Sequence, residues 1–223
     1  MIHNQDHPIS FGVLAPKEQI MEAIFAHEKV TKEEASRRTI ELVEQVGITE
    51  RFVNSYPHEL SGGMKQRIMI AMALVCEPTF LIADEITTAL DVIVQKKILD
   101  LIKDIQQRMN LSMLLITHDL SVIAQTCDRC AIMYAGKIVE IAQTVPLFHN
   151  GLHPYTQALI GAFPDISGNK KIEGLRGYPP NLINPPSGCR FHPRCPLAKD
   201  ICVRIEPELE EKQGHLVSCH MVE

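Results

Sequence analysis

The stretch Leu60-Ser61-Gly62-Gly63-Met64-Lys65-Gln66-Arg67, read together with Leu81-Ile82-Ala83-Asp84-Glu85, decides what this chain folds into. In the first, a Ser-Gly-Gly turn feeds directly into a helix expected to run to about Cys76, with Pro78 ending it. The first turn of a helix leaves backbone N–H groups unpaired, and those groups with the helix dipole suit a phosphate. Glycines let the backbone approach an anion with no Cβ in the way. Ser61 caps the helix or donates to the same oxygen. Alone, Ser-Gly-Gly reads as a plain Ser-capped helix, and the second stretch changes that weighing. Phe80 to Ala83 has the length and flanks of a buried strand and ends in two carboxylates. That edge is where open α/β sheets bind ligands. There Asp84 can hold Mg²⁺ through water and Glu85 can polarise an attacking water.

Working outward, Thr31 to Val46 reads as an amphipathic helix. Thr31 and Glu34 form a capping-box pattern, and Gly47 supplies the stop. Asp91 caps a further helix with Val94, Ile98, Leu101, Ile102, Ile105 and Met109 as its apolar stripe. Leu111 to Thr117 is a second apolar strand, followed by His118-Asp119 and a short helix to Cys127. Cys130 to Ala135 and Ile138 to Ala142 read as a hairpin turning at Gly136. Strands alternating with helices imply an α/β layer with a parallel sheet. Beyond Asn150 the composition changes. From Phe163 to Pro196 Pro and Gly accumulate and periodicity fades, so residues 150–223 read as an irregular extension to a domain spanning residues 1–149.

Composition excludes several classes. Trp is absent, aromatics are 5% and the net charge is −5, which disfavours nucleic acid as the main partner. The longest apolar run, Ile68 to Cys76, falls far short of the roughly 20 residues of a spanning helix. The first residues lack the basic start and apolar stretch of a signal peptide, so a cytosolic location is the default expectation. The seven cysteines are then expected as thiols or ligands.

The order and spacing of these pieces resemble the ATPase domains of ABC transporters. Leu60 to Arg67 matches the signature motif, Phe80 to Asp84 Walker B with Glu85 next, Ala89-Leu90-Asp91 the D-loop, and His118 the switch histidine; Gln5 stands where the Q-loop glutamine would. Tyr56-Pro57-His58-Glu59-Leu60, Met133-Tyr134-Ala135-Gly136, His153-Pro154-Tyr155-Thr156 and Gly188-Cys189-Arg190-Phe191-His192-Pro193-Arg194-Cys195-Pro196 resemble the oligopeptide, dipeptide and nickel importer branch. The resemblance implies a P-loop NTPase fold of the ABC type, with a parallel sheet core and a helical signature subdomain. It implies ATP and Mg²⁺ as ligands, with Glu85 as base and His118 as phosphate sensor. Asp84 and Gln5 would serve Mg²⁺ and water. Ser61, Gly62, Gly63 and Gln66 would serve a partner's nucleotide, and Asp91 the contact between copies. It further implies a second ATPase subunit, two transmembrane permease subunits, a substrate-binding protein and a place on the cytoplasmic face of the membrane.

Two departures accompany the match. No Gly-x-x-x-x-Gly-Lys-Ser/Thr occurs, since the sole Gly-Lys pair, Gly136-Lys137, is followed by Ile138. The chain starts near the Q-loop, which implies an ATPase domain truncated before it and inactive alone. Its core is then expected to be exposed and dependent on a partner. A non-catalytic remnant or accessory subunit, supplying only the signature face to an intact ATPase partner, is the alternative. Ile86 stands where the family usually has proline, which is expected to loosen the turn after Glu85.

Four cysteines gather in the extension, Cys189, Cys195, Cys202 and Cys219, with five, six and sixteen residues between them. Thiolates suit iron–sulfur clusters or zinc, and a metal can replace a core in a Pro-rich segment. Some ATPases of the resembled branch carry a [4Fe–4S] cluster on such a pattern; zinc and four free thiols remain the other readings. Cys127-Asp128-Arg129-Cys130 lacks a thioredoxin-like context and reads as coincidence.

Overall fold

A computed structural model describes residues 2–3, 14–88, 90–162 and 177–223. The chain divides into two compact units, Met1–Leu120 and Ser121–Glu223.

The first unit carries a three-stranded parallel sheet of β1 (Ile2–His3), β2 (Phe80–Asp84) and β3 (Ser112–Ile116), in the order β1-β2-β3. Among the described residues three α-helices precede β2. In α1 (Pro16–His27), Pro16 pre-sets the first turn and Ile20, Met21 and Ile24 make the buried face. In α2 (Lys32–Gln45), Thr31 accepts from the Glu34 N–H at 3.2 Å. Only that half of the expected capping box forms. The Glu34 carboxylate turns instead to Arg37, accepting from its Nη2 at 2.6 Å and its Nε at 3.1 Å. In α3 (Gly62–Leu74), Ile68, Ile70 and Leu74 are buried; the helix ends two residues before Cys76.

The end of α2 is shaped by the quoted stretch. Arg67 on α3 donates to the Val46 carbonyl at 2.6 Å, satisfying a carbonyl that the helix end leaves open. Gly47, at φ +75°, makes room, because a Cβ there would stand 2.6 Å from the guanidinium. After β2, α4 (Val92–Met109) buries Ile98, Leu99, Ile102 and Ile105. Asn110, at φ +50°, closes it in the left-handed conformation. Phe80, Leu114 and Ile116 of the sheet remain exposed.

In the second unit α5 (Leu120–Thr126, starting at the last residue of the first unit) leads to the hairpin β4 (Arg129–Tyr134) and β5 (Lys137–Gln143). Its two-residue turn has φ +49° at Ala135 and +78° at Gly136. Both values are positive, as a turn matching strand twist requires. Arg190 donates to the Ala135 carbonyl and holds the turn. Two helices follow, α6 (Thr144–Asn150) and α7 (Pro154–Gly161), then α8 (Asp200–Arg204) and a second hairpin, β6 (Glu210–Lys212) with β7 (His215–Val217). The sheet order is β4-β5-β7-β6, all antiparallel.

The extension expected as irregular therefore contributes α7, α8 and two strands. Its last strand pairs with β5, so the first hairpin packs with the chain's end. Short strands rich in charge, such as Glu210-Glu211-Lys212, carry no periodicity to betray this. Residues 177–191 hold no helix or strand, in line with their Pro and Gly content.

Candidate functional site

Two adjacent parallel strands end side by side, with Asp84 opposite Ile116 in the β2–β3 register. The Glu85 N–H extends the ladder one step, donating to the Ile116 carbonyl at 2.8 Å. Glu85 then adopts φ +48°, a left-handed conformation that is uncommon without glycine and turns the chain off the strand. This turn brings Glu85 Oε1 to 3.1 Å from Nδ1 of His118, which follows β3. With Glu85 ionised, its carboxylate only accepts, so the tautomer that completes this bond carries its proton on Nδ1. Thr88 Oγ1 donates to Glu85 Oε2 at 3.1 Å, and the Thr88 N–H donates to the Glu85 carbonyl at 3.1 Å. Ile86 is buried in the core. The turn expected to be loose without proline is thus held by Thr88 and by the Ile86 side chain. The Glu85 side chain is 26% exposed and that of His118 74%, an open acid–imidazole pair at the sheet edge.

Ser61 Oγ accepts from the Met64 N–H at 3.3 Å, capping α3 while its own O–H remains able to donate. The glycines differ in what they do. A Cβ on Gly62 would meet Leu90 at an ordinary 3.8 Å, whereas one on Gly63 would stand 2.8 Å from Val94 Cγ1. Gly63 therefore sets how closely α3 and α4 approach. Asp91 Oδ1 accepts from the N–H groups of Ile93 and Val94 at 3.0 and 2.9 Å, capping α4 as the sequence implies. Gln66, expected at a partner's nucleotide, lies on α3 with its Nε2 buried and without a hydrogen-bond partner among the described residues. It is 3% exposed and sits among the core residues of α3. Gln5 lies outside the described residues.

Sequence reasoning missed Gln95. Its Nε2 donates to Asp119 Oδ2 at 3.1 Å, tying α4 to the residue after His118. The pair is 24 residues apart in the chain, and no periodicity marks a polar contact at that range.

The four extension cysteines are free thiols in which Cys202 and Cys219 are buried. Burial pushes the thiols of Cys189, Cys195 and Cys219 up, and each also feels the charge of others in the set. Backbone N–H groups oppose this: Phe191 and His192 at Cys189, Leu197 at Cys195, Met221 and Val222 at Cys219. Among the described residues, however, no three His, Cys, Asp or Glu side chains converge as a metal-holding group. The thiols are neighbours, then, without being drawn together as ligands. Near Cys127, burial raises the Cys130 thiol to about 11, which keeps it protonated and unreactive and agrees with the Cys-x-x-Cys being coincidental.

An α/β unit whose sheet edge carries Asp84, Glu85 and His118, with a Ser-Gly-Gly-headed helix in the same unit, is an ATP-binding cassette domain. The dimeric ATP-binding cassette MJ0796, in a post-hydrolysis state bound to ADP and Pi, has a TM-score of 0.53 and 29% identity to it, covering 61% of this chain and 60% of that one. The ABC transporter family model matches residues 3–88, and the model for the oligopeptide/dipeptide transporter C-terminal region matches residues 139–202. The oligopeptide transport ATP-binding protein AppD of Bacillus subtilis (strain 168) is 47% identical over 95% of this chain and 66% of its own length. The dipeptide transport ATP-binding protein DppD of Haemophilus influenzae is 46% identical over 91% of this chain and 62% of its own. The chain belongs to the ATP-binding proteins of ABC transporters, in their oligopeptide/dipeptide branch. It spans less than two thirds of the length of these curated relatives. No helix among the described residues is long and apolar enough to cross a membrane.

Proposed function

We propose that this chain acts as an ATP-binding subunit of a peptide importer, within an ATP site shared with a second cassette. The observation that carries this is the 3.1 Å contact between Glu85 and His118 at the end of two parallel strands. Glu85 is the general base: its carboxylate takes a proton from a water as the water oxygen bonds to the terminal phosphorus, while the bond to the bridging oxygen breaks and ADP leaves with phosphate as the other product. His118 uses Nδ1 to hold the base in place and turns Nε2 towards the phosphate oxygens. Asp84, at the strand end beside Glu85, is the residue that would hold Mg²⁺ through water, and the ion when bound would offset the charge of the phosphates. The capped N-terminus of α3, with the Ser61 hydroxyl and the Gly62 and Gly63 backbone, faces the partner's nucleotide, and Asp91 lies at the contact between the two cassettes. Closure of the pair moves two permease subunits at the cytoplasmic face of the membrane, with a substrate-binding protein delivering peptide. Residues 1–149 form the ATPase part and residues 150–223 the importer-type extension. The extension model over residues 139–202 supports a peptide cargo.

ATP turnover in the assembly reconstituted with a partner cassette and permease subunits tests this. Glu85→Gln is expected to lower kcat by about 10²–10⁴ with ATP binding retained. Unchanged turnover would defeat the catalytic role. The complete signature helix favours a second reading, an accessory subunit presenting only that face to an intact ATPase. Turnover that survives Glu85→Gln but not Ser61→Arg would select it.

For Cys189, Cys195, Cys202 and Cys219 we favour a [4Fe–4S] cluster, with zinc second. Support comes from the gathering of the four cysteines in one short extension and from the backbone N–H groups directed at three of them, including Met221 to Cys219 Sγ at 3.4 Å. Such donors stabilise thiolate sulfur in clusters. Anaerobic purification with iron, sulfide and zinc analysis decides between the metals. A metal-free protein with four titratable thiols removes both.

A further inference from the structure

We infer that Gln95 is a positioning residue that holds the loop bearing His118, and that it links this loop to the start of α4. The inference rests on the reading of Glu85 and His118 as base and phosphate sensor. Four connected contacts carry it. Asp91 caps α4 through two backbone N–H groups. The Gln95 N–H donates to the Asp91 carbonyl at 2.8 Å, so Gln95 occupies the first turn that Asp91 fixes. The Gln95 side chain then donates to Asp119 Oδ2 at 3.1 Å. Finally, His118, the neighbour of Asp119, reaches Glu85 at 3.1 Å.

The energetics say where the position of His118 is decided. Its side chain is 74% exposed, and one contact made in water is worth little on its own. The imidazole is therefore placed by its backbone. That backbone is pinned by the half-buried Asp119, whose N–H donates to Thr117 Oγ1 at 3.0 Å while its carboxylate takes the Gln95 amide. Charge strengthens this second bond, since an ionised acceptor makes a hydrogen bond roughly twice as strong as a neutral one. A shift of the α4 cap thus reaches the histidine through one side chain, without passing through the sheet.

The test exchanges donor and acceptor. Gln95→Glu places two carboxylates face to face; Gln95→Glu combined with Asp119→Asn restores one donor and one acceptor with their places reversed. Amide hydrogen exchange and imidazole ¹⁵N relaxation are followed in the full chain. Exchange at residues 117–119 is expected to rise about tenfold in Gln95→Glu, as loss of a charge-assisted bond implies, and to return within about threefold in the double variant. His118 ring mobility should follow the same course while α4 amides beyond residue 98 stay unchanged. Unaltered exchange and ring mobility in Gln95→Glu, or a double variant no better than the single, overturns the inference. If the exchange pattern appears but Glu85→Gln leaves turnover of the assembly untouched, the catalytic reading fails and the positioning by Gln95 stands.

Discussion

Glu140 and His215, 75 residues apart, meet inside the second unit with Oε1 2.6 Å from Nδ1. Glu140 is 0% exposed and also accepts the N–H groups of Leu152 and His153 at 2.8 and 2.9 Å. One carboxylate therefore joins β5, the start of α7 and β7. The partners of the carboxylate are themselves buried or half-buried, which is what lets the chain bury so polar a group.

Removing it leaves His215 and two backbone donors buried without an acceptor. Glu140→Ala is expected to destabilise the second unit by about 3–5 kcal/mol. Urea denaturation followed by hydrogen exchange at β5 and β7 measures this. A loss below about 1 kcal/mol would mean that the network is dispensable.

His153 carries a pH dependence whose sign follows from burial. The imidazole is buried, its Nδ1 accepts from the Tyr155 N–H at 3.0 Å, and burial pulls its pKa from 6.5 to about 4, against a smaller opposing pull from Glu140. Between those values the unfolded chain binds a proton that the folded chain refuses. Stability is therefore full above about pH 6.5 and declines as pH falls towards about 4, by on the order of 3 kcal/mol. His153→Asn keeps an acceptor for the Tyr155 N–H and cannot titrate. Its stability should be flatter across this window in parallel denaturation series; an identical slope in both proteins assigns the effect elsewhere.

How much of this was legible depends on range. The helix capped by Thr31 and the one capped by Asp91 were readable, because caps and apolar stripes are local. So was the hairpin turning at Gly136. The pairing of Glu85 with His118 could be anticipated, since each follows an apolar strand and adjacent parallel strands end on one edge. By contrast α1 had its signal, Pro16 with Ile20, Met21 and Ile24 at helical spacing, and it went unread. The strand β7 is three residues long and owes its place to Glu140 and to pairing with β5. Such contacts depend on where the chain returns, which no window of sequence contains. The burial of Gln66 was likewise not legible: a polar residue beside a binding motif carries no sign that helical phase turns it inward.

Gly63 separates a packing role from a ligand role. In a helix, Gly→Ala gains up to about 1 kcal/mol of propensity. Here the new methyl would stand 2.8 Å from Val94 Cγ1, and relieving overpacking of that kind costs about 1–3 kcal/mol. Gly63→Ala is expected to lower Tm. Adding Val94→Ala removes the atom it strikes and should recover part of the loss, despite the cavity. A higher Tm for Gly63→Ala alone would show that α3 and α4 separate freely.

Gly188 and Gly161 make a matched comparison. Gly188 sits at φ +65°, and a Cβ there would lie 2.4 Å from the Cys202 carbonyl oxygen and 2.8 Å from the Val203 carbonyl. Both obstacles are backbone and cannot rotate away. The close approach carries two bonds, Cys189 N–H to the Cys202 carbonyl and Ser187 Oγ to the Val203 carbonyl, each 2.8 Å. Gly188→Ala must open it, at a cost of about 2–3 kcal/mol from strain and overpacking, and it moves Cys189 away from Cys202. Gly161 ends α7, and among the described residues nothing lies within 4 Å of a new Cβ. Gly161→Ala should leave Tm equal or higher. Thiol labelling supplies the second measure. Cys202 is buried, so it should react with a maleimide probe faster in Gly188→Ala and at the parent rate in Gly161→Ala. Equal labelling in both variants would mean that the Gly188 contact does not hold the cysteine segment together.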